Sequence, residues 1–380
     1  MRIAFYAPFK PLGHPHPSGD LTIGTDLFRY LETRGNRLVI PSRFRSRWIY
    51  WRPWYWPGVI QARKRSVRVS RQAKSQVWLT YHAYYKAPDL LGPYCCRRLN
   101  APFVIFQGIY STKRRRHWKT WPGFILNRMT LLAADHVLTN RKVDLVNLKR
   151  LLPDRRFSYV VPGIQTGKFR FDPESRREER QKWGVRKGPV LLTAAMFRPG
   201  VKTDGLAWVI RTCAELHSKN YPLNLVIAGA GQEGPKLRRL ADQLLPERVS
   251  FIGQLPREKM YRFYSAGDVF VFPGIRESLG MVYLEAQSCG LPVVAFADGG
   301  IPEVVAHNVS GYLVRPFDAR EFTNNVARLL TDPALRRRMG EAASDYVQTR
   351  HELERNYREV EIILRELVEK RSRVGGESRY

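Results

Sequence analysis

Val269-Phe-Val-Phe-Pro-Gly-Ile-Arg-Glu277-Ser-Leu-Gly-Met-Val-Tyr-Leu-Glu285-Ala is the stretch on which the reading of this 380-residue chain turns. Four apolar residues ending at Pro273 read as a buried strand, and the residues from about Leu279–Gly280 onward read as a helix. A strand that feeds a helix is half of a βαβ crossover, the building unit of a parallel sheet. Glu277 falls in the intervening loop, and Glu285 lies about 10–12 Å, roughly two helical turns, further on. Between them the helix start offers free backbone N–H groups and a positive dipole end, which suit a diphosphate, and Gly280 lets a ligand approach the backbone. The same pair also reads as an acid favoured by a helix dipole followed by one solvated helix glutamate.

Working outward, the same alternation of short apolar runs and longer mixed ones covers both halves of the chain. In the first half the candidate strands are Arg2–Ala7, Arg37–Ile40, Val77–Thr80, Phe103–Phe106, His136–Thr139 and Ser158–Val161, with a helix from Asp20 to Thr33 closed by Gly35. In the second they are Val190–Ala194, Leu223–Ala228, Val249–Ile252, Val269–Phe272, Pro292–Ala295 and Gly311–Val314, with helices from about Gly205 to Lys219 and from Gly234 to Leu244. Phe171–Lys187 is polar and charged and separates the halves. The pattern predicts an α/β protein with two doubly wound, Rossmann-like parallel-sheet domains facing a cleft. The domains are residues 1–167 and 168–350, and a C-terminal helix over 351–380 packs back across their junction before a frayed tail. Fold alone does not assign a function.

The motifs of the second half narrow the choice. Phe251-Ile-Gly253-Gln-Leu-Pro-Arg-Glu, Tyr264-Ser-Ala-Gly-Asp268, Glu277-Ser-Leu-Gly-Met-Val-Tyr-Leu-Glu285-Ala-Gln-Ser-Cys-Gly290, Gly299-Gly-Ile-Pro-Glu303 and Gly311-Tyr-Leu-Val together resemble the family 4 glycosyltransferases, almost continuously from Leu191 to the last helices. Two glutamates separated by seven residues are that family's signature. The resemblance implies the GT-B architecture, retention of anomeric configuration, and transfer of a sugar from a nucleoside-diphosphate sugar to an acceptor. It places Glu277 at the donor sugar's hydroxyls and the backbone of Leu279, Gly280 and Met281 at sugar and phosphate oxygens, with Glu285 on the ribose. In Ala194-Ala-Met-Phe-Arg198-Pro-Gly-Val-Lys202 it makes Arg198 and Lys202 the cations that neutralise the leaving diphosphate, charges that suit the negative charge building on the departing oxygen. The family more often spaces this pair one residue further apart, and both also read as ordinary surface cations of a basic chain.

Gly229-Ala-Gly231-Gln-Glu-Gly234 follows a strand and precedes a helix, as a dinucleotide fingerprint would, but the acidic residue expected about 20 positions on is not evident. The resemblance assigns Gly229 and Gly231 to the wall of the nucleotide pocket. No cofactor and no metal are expected. The Asp-any-Asp signature of metal-dependent sugar transferases is absent, and His14 and His16, set among prolines, have no matching ligand cluster.

The first half resembles the family less closely. Gly19 stands where family members carry a glycine-rich turn facing the donor phosphates, while Ser18 and Asp20 read as helix caps. His82 follows a strand and sits where many members have a histidine; it reads equally as an acceptor contact or as a structural histidine. The family's second histidine is replaced by Gln107, which is no general base. That substitution keeps open a catalytically silent GT-B binding subunit. A sugar-nucleotide epimerase shares the architecture but not the glutamate spacing.

Charge is the loudest feature of composition. The formal net charge is +30, and residues 1–165 hold 30 Lys/Arg against 7 Asp/Glu. Arg43-Phe-Arg-Ser-Arg-Trp-Ile-Tyr-Trp-Arg-Pro-Trp-Tyr-Trp, the basic run Arg63–Lys74, and Lys113-Arg-Arg-Arg-His-Trp-Lys119 mix tryptophans with cations. Aromatic rings favour the headgroup zone of a bilayer and cations its anionic lipids. The expected partners are therefore the donor, a lipid-linked or lipopolysaccharide-type glycan, and an anionic membrane face to which a cytoplasmic enzyme attaches peripherally. No nucleic acid is expected, because a nucleic-acid binder would account for the basic aromatic surface but not for the spaced glutamates. No apolar run approaches the roughly 20 residues of a membrane span, no signal peptide is evident, and four cysteines suit a reduced compartment.

Overall fold

The structure, a computed structural model, describes residues 1–14, 18–185 and 188–377. His16 and the end of the expected polar separator at Lys187 lie outside the described residues. The chain divides into two compact units, Met1–Val161 together with the chain from Glu354 onward, and Pro162–Leu353.

Unit 1 is a six-stranded parallel sheet of β1 (Arg2–Tyr6), β2 (Arg37–Val39), β3 (Val77–Ala83), β4 (Phe103–Gly108), β5 (His136–Thr139) and β6 (Phe157–Tyr159), in the order β2-β1-β3-β4-β5-β6. Every residue of β3, β4 and β5 is buried, as strands covered by helices on both faces must be. The order reverses direction between β1 and β3, and the carboxyl ends of those strands frame the crevice where open α/β sheets bind ligands. The last helix, Leu353–Glu377, returns to this unit: Tyr357 packs edge-on against Tyr30 and Phe106, and Arg371 pairs with Asp135 at 3.1 Å.

Unit 2 repeats the design with β7 (Val190–Ala194), β8 (Asn224–Ala228), β9 (Val249–Gly253), β10 (Val269–Val271), β11 (Val293–Phe296) and β12 (Gly311–Val314), in the order β12-β11-β10-β7-β8-β9. Its reversal lies between β7 and β10. The expected α/β class of two doubly wound parallel sheets holds in both units.

Three expectations need adjustment. Phe171–Lys187 is not a free linker over its described part, since it contains the helix Pro173–Lys182, capped by Asp172. Arg176 and Arg180 pin that helix to Asp268 at 2.6 and 2.5 Å. The boundary expected after residue 167 falls between Val161 and Pro162, because Ile164 bridges to Glu352 and Phe169 is buried inside unit 2. The helix expected from Gly205 begins at Val201. Gly205 does not start it; it lets the helix lie on the Phe272 ring, which a Cβ at that position would meet at 2.9 Å.

Candidate functional site

Unit 2 gathers most of the residues singled out in the sequence around its switch point. β7 leads into the loop that carries Arg198, and β10 into the loop that carries Glu277. Because the helix starts at Val201, Lys202 stands in its first turn, and its Nζ meets Glu277 Oε2 across the gap between the two strands. Lys202 Nζ also lies 5.4 Å from the centre of the Phe272 ring. Both side chains keep partial exposure, 30% for Lys202 and 16% for Glu277, so the pair is accessible from solvent. Arg198 is exposed on the same rim; its carbonyl accepts from Thr203 Oγ1 at 2.6 Å, while its guanidinium has no ion-pair partner among the described residues.

The Glu277 loop is moulded by glycine. Gly299 has φ +60°, and a Cβ there would collide with the carbonyl oxygen of Glu277; one at Gly300 would collide with that of Ser278. Gly300 N–H donates to the Glu277 carbonyl at 3.1 Å, and Arg276 N–H to Asp298 Oδ2 at 2.7 Å. The loop is therefore held backbone to backbone, and Glu277 projects from a fixed base. Gly280, at φ +81°, is the N-cap of the helix Met281–Ser288 and supplies no side-chain acceptor to it. The first N–H groups of that helix lack intrahelical acceptors and remain available to an anion. Leu279 and Met281 are buried on either side.

Glu285 lies one helical turn inside and is buried, 6% exposed. Tyr264 Oη donates to its Oε2 at 3.0 Å, and Arg257 approaches its Oε1 at 3.7 Å. Sequence reading passed over both partners. The signal was available, since a carboxylate on the buried face of a short helix requires donors and Tyr264 lies within the quoted motif. Gly229 and Gly231, at φ +148° and +151°, have a cause inside the protein. The space a side chain would need is taken by the Ala195 carbonyl above Gly229 and the Phe197 carbonyl above Gly231, so the glycine turn seats the loop that bears Arg198.

The remaining residues belong to unit 1. Gly19 opens the helix Gly19–Thr33, which Ser18 caps through Leu21 N–H at 3.3 Å. Asp20 does not cap: its Oδ1 lies 3.6 Å from His82 Nδ1. His82 does not follow β3 but is its penultimate residue, in the left-handed region at φ +61°. Gln107, penultimate in the neighbouring β4, has φ +59°. Such backbone is costly for residues other than glycine and persists only where the surroundings over-determine it. His82 packs against Phe9 and Tyr84, with ring centres at 5.4 and 4.8 Å, and burial lowers its pKa, so it is neutral at pH 7. Gln107 Nε2 donates to Asn140 Oδ1 at 3.1 Å, which leaves its Oε1 without a partner.

Among the described residues no group of three or more His, Cys, Asp or Glu is placed to hold a metal ion. All four cysteines are unpaired and buried. No helix among those residues is long and apolar enough to cross a membrane.

Two successive six-stranded, doubly wound parallel sheets are the architecture of the GT-B class of fold. Residues 175–346 match the family described as Glycosyl transferases group 1, and over that segment the resemblance read from the motifs is borne out. The chain is 34% identical over 198 residues to a GDP-mannose-dependent alpha-(1-6)-phosphatidylinositol monomannoside mannosyltransferase of Mycolicibacterium smegmatis, covering 50% of this chain and 51% of the relative. It is 33% identical over 222 residues to a D-inositol 3-phosphate glycosyltransferase of Thermobifida fusca, covering 55% and 50%. The chain thus spans about half the length of the curated relatives it matches. In fold it is similar to sucrose-phosphate synthase of Thermosynechococcus elongatus, with a TM-score of 0.73 at 19% identity over 96% of this chain and 98% of the other.

Proposed function

We propose that this protein is a retaining, metal-independent glycosyltransferase. In this reading it moves a sugar from a nucleoside-diphosphate sugar to a glycan or lipid-linked acceptor. The observation that carries it is the meeting of Lys202 with Glu277 at the switch point of unit 2, beside exposed Arg198 and the open N-terminus of Met281–Ser288. When a donor binds, Glu277 accepts hydrogen bonds from the sugar hydroxyls. The backbone at Leu279, Gly280 and Met281 takes sugar and phosphate oxygens, and Glu285, oriented by Tyr264, takes the ribose.

The chemistry then needs one charge change. The bond between the anomeric carbon and the phosphate oxygen breaks, and the acceptor hydroxyl forms its bond on the same face. The acceptor's proton passes to the departing oxygen. Lys202 and Arg198 are fixed positive charges beside the oxygen on which negative charge grows, the kind of preorganised stabilisation that lowers a barrier most. No protein base is required, which accords with glutamine at position 107 and with a His82 whose basicity is lowered by burial. The test is a thermal-shift screen of nucleoside-diphosphate sugars, followed by sugar transfer with Glu277→Gln. The reading stands if one donor raises the melting temperature and the variant folds but loses transfer; it falls if no donor stabilises the protein.

The acceptor side has its own observation. Trp51, Trp54, Trp56, Trp118 and Trp121 of unit 1 are all more than a third exposed, among Arg52, Lys113–Arg116 and Lys119. Trp51 Nε1 donates to the Lys119 carbonyl at 2.9 Å, and the Trp51 and Trp118 rings meet at 5.7 Å, so two distant segments make one surface. Tryptophans set in cations suit the interface of an anionic bilayer, and the proposal includes peripheral attachment there. Co-sedimentation with phosphatidylserine vesicles in low salt, lost on Trp54→Ala with Trp118→Ala, is the expected result.

A further inference from the structure

A line of touching rings runs from the switch point of unit 1 to this exposed surface. Phe9 meets His82 and Tyr84; Tyr84 meets Tyr85 at 5.6 Å, and Tyr85 meets Trp48 at 6.0 Å. Trp48 meets Tyr50 at 5.7 Å, Tyr50 meets Trp51 at 6.0 Å, and Trp51 meets Trp118. Besides Lys10, which lies 5.8 Å from the centre of Phe9, the rings beside the switch point carry three further cations. Arg47 lies 5.8 Å from the centre of Phe9, Lys86 lies 5.4 Å from Trp48 and 5.6 Å from Tyr85, and Arg114 lies 4.6 Å from Tyr85.

None of the three has a carboxylate partner among the described residues, in a unit where acids are scarce. Cations parked on aromatic faces are positioned yet not neutralised. The Tyr50 hydroxyl within the track is buried and unpartnered. Gly123 holds the middle of the track in place: a Cβ there would collide with the Tyr85 carbonyl and the Tyr50 ring.

We propose that this track binds the acceptor, and that Lys86 and Arg114 select one that carries a phosphate. The inference rests on the glycosyltransferase reading and adds the acceptor's chemical class. Sugar rings stack on Phe9, Tyr84 and Tyr85, while the phosphate takes charge-assisted hydrogen bonds from Arg114 and Lys86. These two are specificity residues, set apart from the donor machinery of unit 2.

The experiment is isothermal titration of the full chain at low salt with myo-inositol 1-phosphate and with myo-inositol. In parallel, flotation is run with phosphatidylcholine vesicles with and without phosphatidylinositol. We expect the phosphorylated probe to bind about tenfold or more tightly than its neutral counterpart. Lys86→Gln with Arg114→Gln should reduce that preference to within about twofold. Arg97→Gln with Lys149→Gln, which removes the same charge elsewhere in unit 1, should keep it. A preference seen with the soluble probe locates the phosphate on a free headgroup, and one seen only with vesicles locates it in a lipid; either supports the inference.

No preference in either format, or its equal loss in the charge-control variant, overturns it. Stabilisation of the Lys86/Arg114 variant by a nucleoside-diphosphate sugar is the separate gauge. A phosphate preference in a protein that no such donor stabilises would sink the donor reading and leave the anion site standing. Donor stabilisation without the preference does the reverse.

Discussion

Both sheets are six-stranded and parallel and each reverses direction once, yet their switch points are furnished in opposite ways. In unit 2 the ends of β7 and β10 bring together a cation and a carboxylate, both partly solvated, on loops whose backbones are pressed together at glycines. In unit 1 the ends of β1 and β3 place a buried histidine among rings, with one carboxylate, Asp20, 3.6 Å from it and cations laid over the aromatic faces beyond. The first arrangement suits a ligand whose charge changes during the reaction and must be met by fixed charge. The second suits a ligand recognised by shape, stacking and one anionic group. The largest expected effect tests the charged side: Lys202→Ala should lower sugar transfer by about 10²-fold or more, the scale for removing a preorganised charge from a transition state. A loss confined to donor affinity, with turnover unchanged, would make Lys202 a binding residue only.

That contrast also explains what could be read from sequence. The strands were legible in both units because buried parallel strands are short apolar runs, whatever site they carry. The Glu277 loop was legible because crowded backbone demands glycine at fixed positions, and Gly280, Gly299 and Gly300 stand out in a string of letters. The start of the helix Val201–Ser218 is hidden because Gly205 looks like punctuation, and only the packing against Phe272 shows why the helix runs through it. Unit 1 leaves no such mark. Phe9, Trp48, Tyr85 and Arg114 reach one aromatic track from four separate segments, Asp20 resembles a cap, and nothing in the letters puts His82 or Gln107 in the left-handed region. A site assembled by distant aromatics is a tertiary fact.

Glycine offers the next test of the comparison. Gly299 and Gly35 have φ +60° and +76°, but a Cβ on Gly299 would strike the Glu277 carbonyl, whereas nothing lies within 4 Å of one on Gly35. Both alanine variants carry backbone strain of about 1 kcal/mol, and Gly299→Ala should add about 1–3 kcal/mol of overpacking. Chemical denaturation measures the difference. Gly299→Ala should also abolish stabilisation by a donor, while Gly35→Ala keeps it. Equal costs at the two positions would mean that the Glu277 loop is not held as tightly as its contacts indicate.

A smaller effect is expected at Glu285. Tyr264→Phe removes one donor from a buried carboxylate, a loss of about 1–2 kcal/mol. It should appear as roughly tenfold weaker donor binding by titration, with the acceptor's phosphate preference untouched. If acceptor recognition changed as well, the division of labour between the units would be wrong.

The smallest effect separates stability from site chemistry in unit 1. His136, at the opening of β5 and away from the switch point, has its pKa lowered to about 4 by burial and then by Arg156. Its Nε2 lies 3.0 Å from Ser158 Oγ. In the unfolded chain the same imidazole titrates near 6.5. The folded pKa is the lower one, so the unfolded state binds the extra proton first as the solution is acidified. Stability is therefore full above about pH 6.5 and declines towards pH 4, by at most about 3 kcal/mol from this group and less where solvent reaches it. Replacing His136 with Gln should flatten the dependence of the melting temperature on pH over that window and leave donor binding at pH 7 unchanged. An unaltered pH slope would show that burial of His136 is not what makes this unit sensitive to acid over that window.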